Sequence, residues 1–534
     1  MNTRTGTART LMTVIAVLSG IAALPALAQW DAPAIIQARI GQLRNGVEVR
    51  IGEQSIASTV VLPEFYEQRE FRPAWSDAPN LDALLATVRD SRADGLDPED
   101  YHLSALGRLR ASPPDGERDA DLDLLATDAL IRLAYHLRFG KVDMVTIDPH
   151  WNFRRGYDAV RAAAPVAAIQ RALDTGQVAQ ELEALRPPHP FYDGLRNALD
   201  TYRQIQAAGG WELLPAGQSL KPGATDPRVP ALRQRLMVEG DLTAEGGEGD
   251  EYDAALVSAL QGFQERHGLK PDGVLGPRTL RELNVPAARR IDEIRLSLDR
   301  SRELLHDLPD RLVVVNVPAF RVYYVDASGL RFAANAVVGK PYTQTPIFRA
   351  EITHLVLNPS WVVPPGILQR DILPGLRKDP DYLRKKGLKR VGEQIVQDPG
   401  PNNALGRIKL MFPNPHLVYL HDTPDKDLLE AEGRTFSSGC IRVQNVFELA
   451  ALVTDDPQSW SKEKLLEAAD TGATRTIVLN RKVPVLLTYW TAAVAPDGRV
   501  HFYQDVYGRD PANLAALDAP FSFPRDVVRA AGGR

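Results

Sequence analysis

The stretch RLVVVNVPAFRVYYVDASGLRFAANAVVGK, residues 311–340, marks the change from a helical to a β-rich pattern. Two runs of β-branched and aromatic residues flank Asp-Ala-Ser-Gly, which is typical of a β-hairpin. More strands are predicted downstream in HLVLNPSWVV, HLVYLH, TRTIVLN and VPVLLTYWTAAV. The last is predicted to pair with RVHFYQDVY through a turn at APDG. Residues 309–534 are therefore predicted to form a β-rich domain, a mixed sheet arranged like a β-sandwich with a few helices.

Upstream of this hairpin the pattern is helical. Apolar residues recur at helical spacing within 29–224, most clearly between Leu122 and Leu137. Residues 225–285 predict a small module of three short helices, and 286–308 a connecting helix. The chain is thus predicted to be multidomain α+β, in keeping with 534 residues, since single hydrophobic cores stop growing at about 250–300 residues.

The N-terminus has the pattern of an export signal. Arg4 and Arg9 precede an apolar run from Leu11 to Leu24, and Ala26-Leu27-Ala28 supplies small residues for cleavage. Residues 1–28 are therefore predicted to be a signal peptide of an exported, periplasmic protein. An uncleaved anchor is the alternative, and it is the only membrane contact expected. The net charge of −5 argues against a nucleic-acid partner.

Residues 366–415 form a long interruption between predicted strands. Seven positions between Arg377 and Arg390 are Lys or Arg, against two acidic residues. Long insertions in compact domains are often lids or binding loops. The basic residues predict either a solvated surface or a capping flap over a substrate that carries carboxylates.

The chain has one cysteine, Cys440, within RTFSSGCIRV at 434–443. As a lone cysteine it cannot form an intramolecular disulfide, even in an exported protein. It is therefore either a buried, inert residue or a reactive thiol. A thiol becomes a useful nucleophile as the thiolate, which needs a nearby base or cation. His421 is the best-placed histidine, at the end of the predicted strand HLVYLH.

The text YLHDTPDKDLLEAEGRTFSSGCIRV resembles the catalytic signature of the L,D-transpeptidases with a YkuD-type domain, in which Ser-x-Gly-Cys follows a histidine. The blocks VNVPAFRVYYV, VVGKPYTQTPIF, NPSWVVPPGI, NALGRIKLMFPN and VPVLLTYWTA resemble the same domain. YDAALVSALQGFQERHGLKPDGVLGPRTLREL resembles a peptidoglycan-binding module. This combination is similar to the branch with an N-terminal helical scaffold. One departure is Ser438, where many members have histidine.

The resemblance implies that Cys440 attacks an amide carbonyl and that His421 takes up the thiol proton. Gly439 and Cys440 are the expected backbone N–H donors to the oxyanion. Asp422 follows the histidine, but adjacent side chains on a strand diverge, so a turn-forming role is the simpler one. A backbone carbonyl is then the alternative group that orients His421.

The remaining motif residues have more than one interpretation. Ser438 and Ser437 belong to the motif, and Ser438 either helps with its hydroxyl or shapes the turn. Arg442 either stabilises the thiolate, holds a substrate carboxylate, or forms a structural ion pair. Tyr342 and Trp361 lie in matched blocks and are candidate substrate-binding residues, with core packing as the alternative for each.

The function implied by the resemblance is an exported cysteine L,D-transpeptidase. It would act on peptidoglycan tetrapeptide stems and glycan through a thioester on Cys440, forming 3-3 cross-links or attaching an envelope protein, with no cofactor or metal. An L,D-carboxypeptidase with water as acceptor and a non-catalytic peptidoglycan-binding scaffold are the alternatives. Ser461-x-x-Lys464 matches one element of serine penicillin-binding enzymes, but its companions SDN and KTG are absent.

Overall fold

The computed structural model describes residues 31–153, 163–243, 249–306, 308–521 and 523. The predicted signal peptide, residues 1–28, lies outside them. Within these ranges, no helix combines the length and apolar character needed to cross a membrane.

The N-terminal region is helical, as predicted. Its longest helix carries the predicted apolar stripe, and Leu125, Ala129 and Leu133 of that stripe are fully buried. The elements are α1 Ala32–Arg44, β1 Arg50–Ile51, β2 Gln54–Ser55, α2 Val61–Gln68, α3 Ala78–Asp90, 3₁₀ turns Ser91–Asp94 and Pro98–Tyr101, α4 Leu103–Ala111, α5 Gly116–Phe139, α6 Met144–Ile147, α7 Ala163–Thr175, α8 Val178–Glu183 and α9 Pro190–Ala207.

A three-helix module with its own hydrophobic core follows, formed by α10 Val229–Val238, α11 Ala254–Arg266 and α12 Pro277–Leu283. Phe263 is fully buried in that core. The buried Gln264 amide donates to Asp272 Oδ1 at 3.0 Å and its Oε1 accepts from the Gly273 N–H at 2.9 Å. The turn before α12 is thereby fixed by α11.

Helix α13, Ala287–Leu304, connects the module to the β-rich domain and is buried along most of its length. It packs against α9 and α5 on one side and against the C-terminal β-hairpin on another. Arg302 reaches into the helical region, where its Nε donates to the Tyr192 hydroxyl at 3.0 Å. Arg300 faces the β-rich domain and donates to Asp510 Oδ1 at 2.8 Å and to the Tyr489 carbonyl at 3.0 Å.

We expect Arg300→Ala to lower the free energy of unfolding by about 3–5 kcal/mol, because it leaves the Asp510 carboxylate buried without its main cation. Both side chains are 5% exposed or less. The urea midpoint of the full chain measures the change. Arg331→Ala removes an exposed pair with Asp326 and is expected to cost under about 1 kcal/mol; equal losses would contradict the assignment.

The C-terminal domain is built on a nine-stranded mixed sheet in the order β12-β5-β13-β11-β10-β6-β14-β3-β4, and β4 also pairs with β5. That pairing closes eight strands into a ring around the core. The strands are β3 Leu312–Asn316, β4 Arg321–Asp326, β5 Gly329–Gly339, β6 Phe348–Leu357, β7 Trp361–Val362, β8 Leu388–Val391, β9 Gln394–Gln397, β10 Ile408–Met411, β11 Leu420–His421, β12 Thr435–Ser437, β13 Ile441–Val443, β14 Arg475–Thr488, β15 Ala492–Val494 and β16 Val500–Phe502.

The sequence pattern missed one turn, between β3 and β4, and divided one strand, β14, into two. The first predicted strand of the hairpin folds as two antiparallel strands, β3 and β4, because Pro318 cannot continue the ladder and Phe320 turns the chain with φ of +52°. TRTIVLN and VPVLLT form the single long strand β14, with an irregularity between Val478 and Val483. The last hairpin, β15 with β16, folds as predicted.

The capping insertion folds as a small unit with its own sheet, β7-β9-β8, and its own apolar core, which includes Val363, Ile372 and Ile395. Its helical elements are α14 Pro365–Ile367, a π-helical turn Leu368–Ile372, α15 Leu373–Lys378 and α16 Tyr382–Lys385. The predicted bounds of 366–415 are wrong at both ends, because β7 belongs to the unit and β10 is an internal strand of the main sheet. We call residues 361–403 the flap.

The remaining elements cover the sheet. They are a 3₁₀ turn Lys426–Leu429, α17 Val446–Thr454, α18 Pro457–Trp460, α19 Lys462–Asp470 and α20 Asp510–Asp518. Ser461 caps α19, where its Oγ accepts from the Lys464 N–H at 3.4 Å, as expected of an N-cap.

Candidate active site

The candidate site is built by three neighbouring strands, β10, β11 and β13. In the sheet register Lys409 is opposite His421, and His421 is opposite Arg442. Residues directly opposite each other in a sheet share a face, and residues two apart on one strand do so too. Lys409, His421 and Arg442 thus form one row, and Tyr419 and Cys440 lie on the same face beside it.

Cys440 and His421 are diagonal neighbours on this face. The Ile441 N–H donates to the Tyr419 carbonyl at 3.1 Å, so the ladder continues and Cys440 is level with Tyr419. The usual strand spacing and rise then separate the Cα atoms of Cys440 and His421 by about 8 Å, which allows their side chains to approach. Cys440 is partly exposed, whereas His421 is 4% exposed.

The turn before Cys440 is held from both sides. Ser437 Oγ donates to the Cys440 carbonyl at 2.6 Å and accepts from the Gly439 N–H at 3.1 Å. Thr345 Oγ1 donates to the Gly439 carbonyl at 2.8 Å. Gly439 has φ of +119°, a conformation that favours glycine. Of the two expected oxyanion donors, the Gly439 N–H is therefore already bonded.

A tight loop, residues 412–418, borders the sulfur. Cys440 Sγ lies 3.8 Å from the Leu417 carbonyl oxygen. Leu417 has φ of +56°, which is unusual for a bulky residue, and the Asn414 amide donates to the carbonyls of Phe412 and Val418 at 2.6 and 2.8 Å. These bonds hold the first half of the predicted strand HLVYLH in a loop, so the assigned strand β11 is only Leu420–His421.

Burial sets the protonation of the pair. Burial, together with the positive charge of Arg442, lowers the pKa of His421 to about 4. Burial also raises the pKa of the Cys440 thiol, against the opposing effects of Tyr419, Arg442 and Lys409. Near neutral pH the imidazole of His421 and the thiol of Cys440 are therefore both neutral in this structure. The thiolate that attack requires must therefore form during the reaction.

Asp422 is not aimed at the imidazole. Its Oδ2 accepts from the Arg407 N–H at 2.9 Å, and its Oδ1 pairs with Lys426. His421 Nδ1 is buried without an aligned hydrogen bond to any described residue, and the carbonyls of Asp422 and Leu405 favour its protonated form. Backbone carbonyls, rather than a third side chain, surround the histidine.

The other predicted residues are divided between the motif and the flap. Arg442 forms an ion pair with Asp425, Nη1 to Oδ2, at 3.1 Å, as in the structural interpretation. Ser438 is exposed, and its Oγ accepts from Arg370 Nη2 of the flap at 2.9 Å. This contact places the flap at the turn that precedes Cys440.

Tyr342 and Trp361 have different surroundings. Tyr342 is 69% exposed, so core packing is wrong for it. Trp361 is partly buried in the apolar core of the flap. The sequence pattern also missed two residues on the site face, Lys409 and Tyr419. The alternation of Ile408, Lys409 and Leu410 indicates a strand, but only the order of the strands brings Lys409 beside His421.

Three family models match the chain in order. A model described as "Scaffold domain" matches residues 61–199, one described as "Putative peptidoglycan binding domain" matches 225–283, and one described as "L,D-transpeptidase catalytic domain" (YkuD) matches 310–479. The third match contains strands β3 to β13, the first part of β14, the flap, and both Cys440 and His421.

Relatives and solved structures were also found. A "Putative L,D-transpeptidase" of Haemophilus influenzae is 26% identical over 257 residues, 44% of this chain and 52% of the relative; the chain thus spans about half of that relative. The N-acetylmuramoyl-L-alanine amidase CwlL of Bacillus licheniformis is 32% identical over 74 residues, 14% of this chain and 21% of the amidase.

Among solved structures, an L,D-transpeptidase of Xylanimonas cellulosilytica is 18% identical with a TM-score of 0.18, covering 51% of this chain and 99% of that one. Mycobacterium tuberculosis L,D-transpeptidase 1 is 12% identical with a TM-score of 0.17, covering 34% and 61%. The ordered matches to the scaffold, binding and catalytic models agree with the motifs and the fold. The chain therefore contains a YkuD-type L,D-transpeptidase catalytic domain, preceded by a scaffold domain and a peptidoglycan-binding domain.

Proposed function

We propose that the chain is an exported cysteine L,D-transpeptidase that acts on peptidoglycan stem peptides through a thioester on Cys440. The observation that carries this proposal is the shared face of Cys440 and His421 on adjacent parallel strands, where Cys440 is a partly exposed residue and His421 is buried. The family match over 310–479 supports the reaction class.

In the proposed reaction, Cys440 sulfur attacks the carbonyl of the third residue of a tetrapeptide stem, and His421 takes up the thiol proton. The C–S bond forms, the amide C–N bond breaks, and His421 returns the proton to the leaving amine of the terminal D-alanine. An acceptor amine then attacks the thioester, and loss of its proton through His421 restores the thiol. The Cys440 N–H is the proposed oxyanion donor, because that of Gly439 is bonded to Ser437.

Peptidoglycan is the proposed partner, as stem peptide and as glycan held by the module at 225–283. The acceptor amine is either that of a second stem, which gives a 3-3 cross-link, or that of an envelope protein. Export to the periplasm rests on the signal-like residues 1–28 and on the wall-directed domains.

Product analysis tests this proposal. The full chain is incubated with a disaccharide tetrapeptide, alone and with a lysine-bearing envelope protein, and the products are identified by mass. We expect free D-alanine together with a 3-3 dimer or a protein–tripeptide adduct. Tripeptide and D-alanine alone would support the L,D-carboxypeptidase alternative, and no release at all would support the non-catalytic scaffold.

Arg370→Ala is expected to raise the hydrolysed share of the products in this assay. The variant removes the flap's hydrogen bond to Ser438, and a hydrogen bond to a charged group contributes enough to shift flap opening by up to about tenfold. An open flap admits water to the thioester. Arg384→Ala is the control, since Arg384 pairs with Asp381 inside the flap; equal product ratios in both variants would contradict a shielding role.

A further inference from the structure

Lys409 is a positive charge that the sheet itself holds near the nucleophile. Its backbone pairs with that of His421, and its Nζ lies 5.4 Å from the centre of the Tyr419 ring. Tyr419 is the residue level with Cys440. Lys409 and Cys440 therefore share one face, with only strand β11 between their strands.

The Lys409 ammonium lacks a carboxylate partner in the part of the chain that the structure describes. The side chain is partly buried, and burial lowers its pKa, while a negative charge on Cys440 would raise it. Arg442, on the other side of His421, also favours a negative charge on Cys440, but it is already paired with Asp425. A desolvated cation without a counter-ion is costly, so an anion is expected to join Lys409 during the reaction cycle.

We propose that Lys409 is the cation that stabilises the Cys440 thiolate. Its part in acyl transfer rests on the proposed function, but the thiolate forms without any substrate. Attack by sulfur needs that anion, and the neutral resting pair means that its charge must be compensated when it forms. The S–H proton leaves to His421 or to solvent, and Lys409 keeps its own proton throughout.

The other groups that face this pair can be separated from it by pH. His421 and His354 have lowered pKa values and the pKa of Tyr419 is raised by burial, so all three stay neutral over most of the range from about pH 6 to 10. The surrounding charged and titratable groups are Tyr419 and His421 on β11, Arg442 on β13 with Asp425, His354 on β6, and Arg370 with Asp371 of the flap at Ser438.

Alkylation of the full chain by iodoacetamide tests the proposal, because Cys440 is the only cysteine and the reagent is uncharged. The rate is measured between about pH 6 and 10. We expect Lys409→Met to move the profile upward by about one pH unit, which slows alkylation about tenfold near pH 8. Lys409→Arg should retain the wild-type profile, and Lys409→Gln serves as a second neutral variant should methionine disturb folding.

Lys482→Met is the matched control, since Lys482 is an exposed strand lysine paired with Glu351, and its profile should equal that of the wild type. An unchanged profile in the folded Lys409→Met or Lys409→Gln chain would overturn the proposal. If that variant instead raised only the KM for stem peptides and left the alkylation profile unchanged, Lys409 would bind a substrate carboxylate. The proposal would then likewise be wrong. Alkylation requires no transpeptidase activity, so failure of the proposed function would leave this result readable.

Discussion

Cys440→Ala is expected to abolish acyl-enzyme formation and to reduce stem turnover by about 10³-fold or more, the scale of loss when the nucleophile of an acyl-transfer enzyme is removed. The chain has no second thiol to substitute for it. Intact-mass analysis of the full chain with a tetrapeptide donor should show an adduct of the stem less its terminal alanine on the wild type and none on the variant.

The fold should survive this change, because Cys440 is small and partly exposed. The unfolding midpoint of Cys440→Ala is therefore expected to stay near that of the wild type. The matched control is Ser461→Ala, which tests the Ser-x-x-Lys alternative. It removes the N-cap of α19 and should cost about 1 kcal/mol of stability with full turnover. An adduct that persists on Cys440→Ala, or one lost from Ser461→Ala, would refute the assigned nucleophile.

His421→Gln is expected to lower kcat/KM by about 10²–10⁴-fold, the usual contribution of a positioned general base. The sign of its pH dependence follows from burial, which lowers the pKa of His421 to about 4. The ring is unprotonated above that pH, so the wild-type kcat/KM should stay level through mildly acidic solution and fall only as pH approaches about 4.

In His421→Gln the fall of kcat/KM toward pH 4, the acidic limb of the profile, should disappear along with most of the rate. His501→Gln is the control, since His501 lies on β16 in a separate sheet, and it should keep both the rate and the limb. A wild-type acidic limb near pH 6.5, the ordinary histidine value, would show that His421 is solvated in the working enzyme. A limb that persists in His421→Gln would assign the base elsewhere.

The sequence motif led directly to Cys440 and His421, whereas their neighbours depend on the fold. The spacing of His421 and Cys440 and the neighbouring strands were enough to expect the pair, because both residues lie in a motif with a known resemblance. Lys409 could not be found in this way, since its place beside His421 depends on strand order rather than on distance along the chain. The contact of Arg370 with Ser438 depends likewise on how the flap folds back.

The resting protonation of Cys440 and His421 depends on burial, which the sequence does not show. A histidine near a cysteine suggests an ion pair, but the sequence does not show that His421 is 4% exposed. Burial disfavours the charged form of both groups, and this outweighs their proximity in the resting structure. Within the β-rich domain, Pro318 was a visible turn signal, whereas the joining of two apolar runs into β14 required their common partner, β6.

Helix α13 gives the helical region and the β-rich domain a shared interior. Truncation to the β-rich domain alone would expose to water the apolar side of α13, or the apolar surfaces that pack against it. The helical region is therefore needed to bury apolar surface as well as the site being needed for the reaction. A shortened chain would require substitutions that make the newly exposed surface polar.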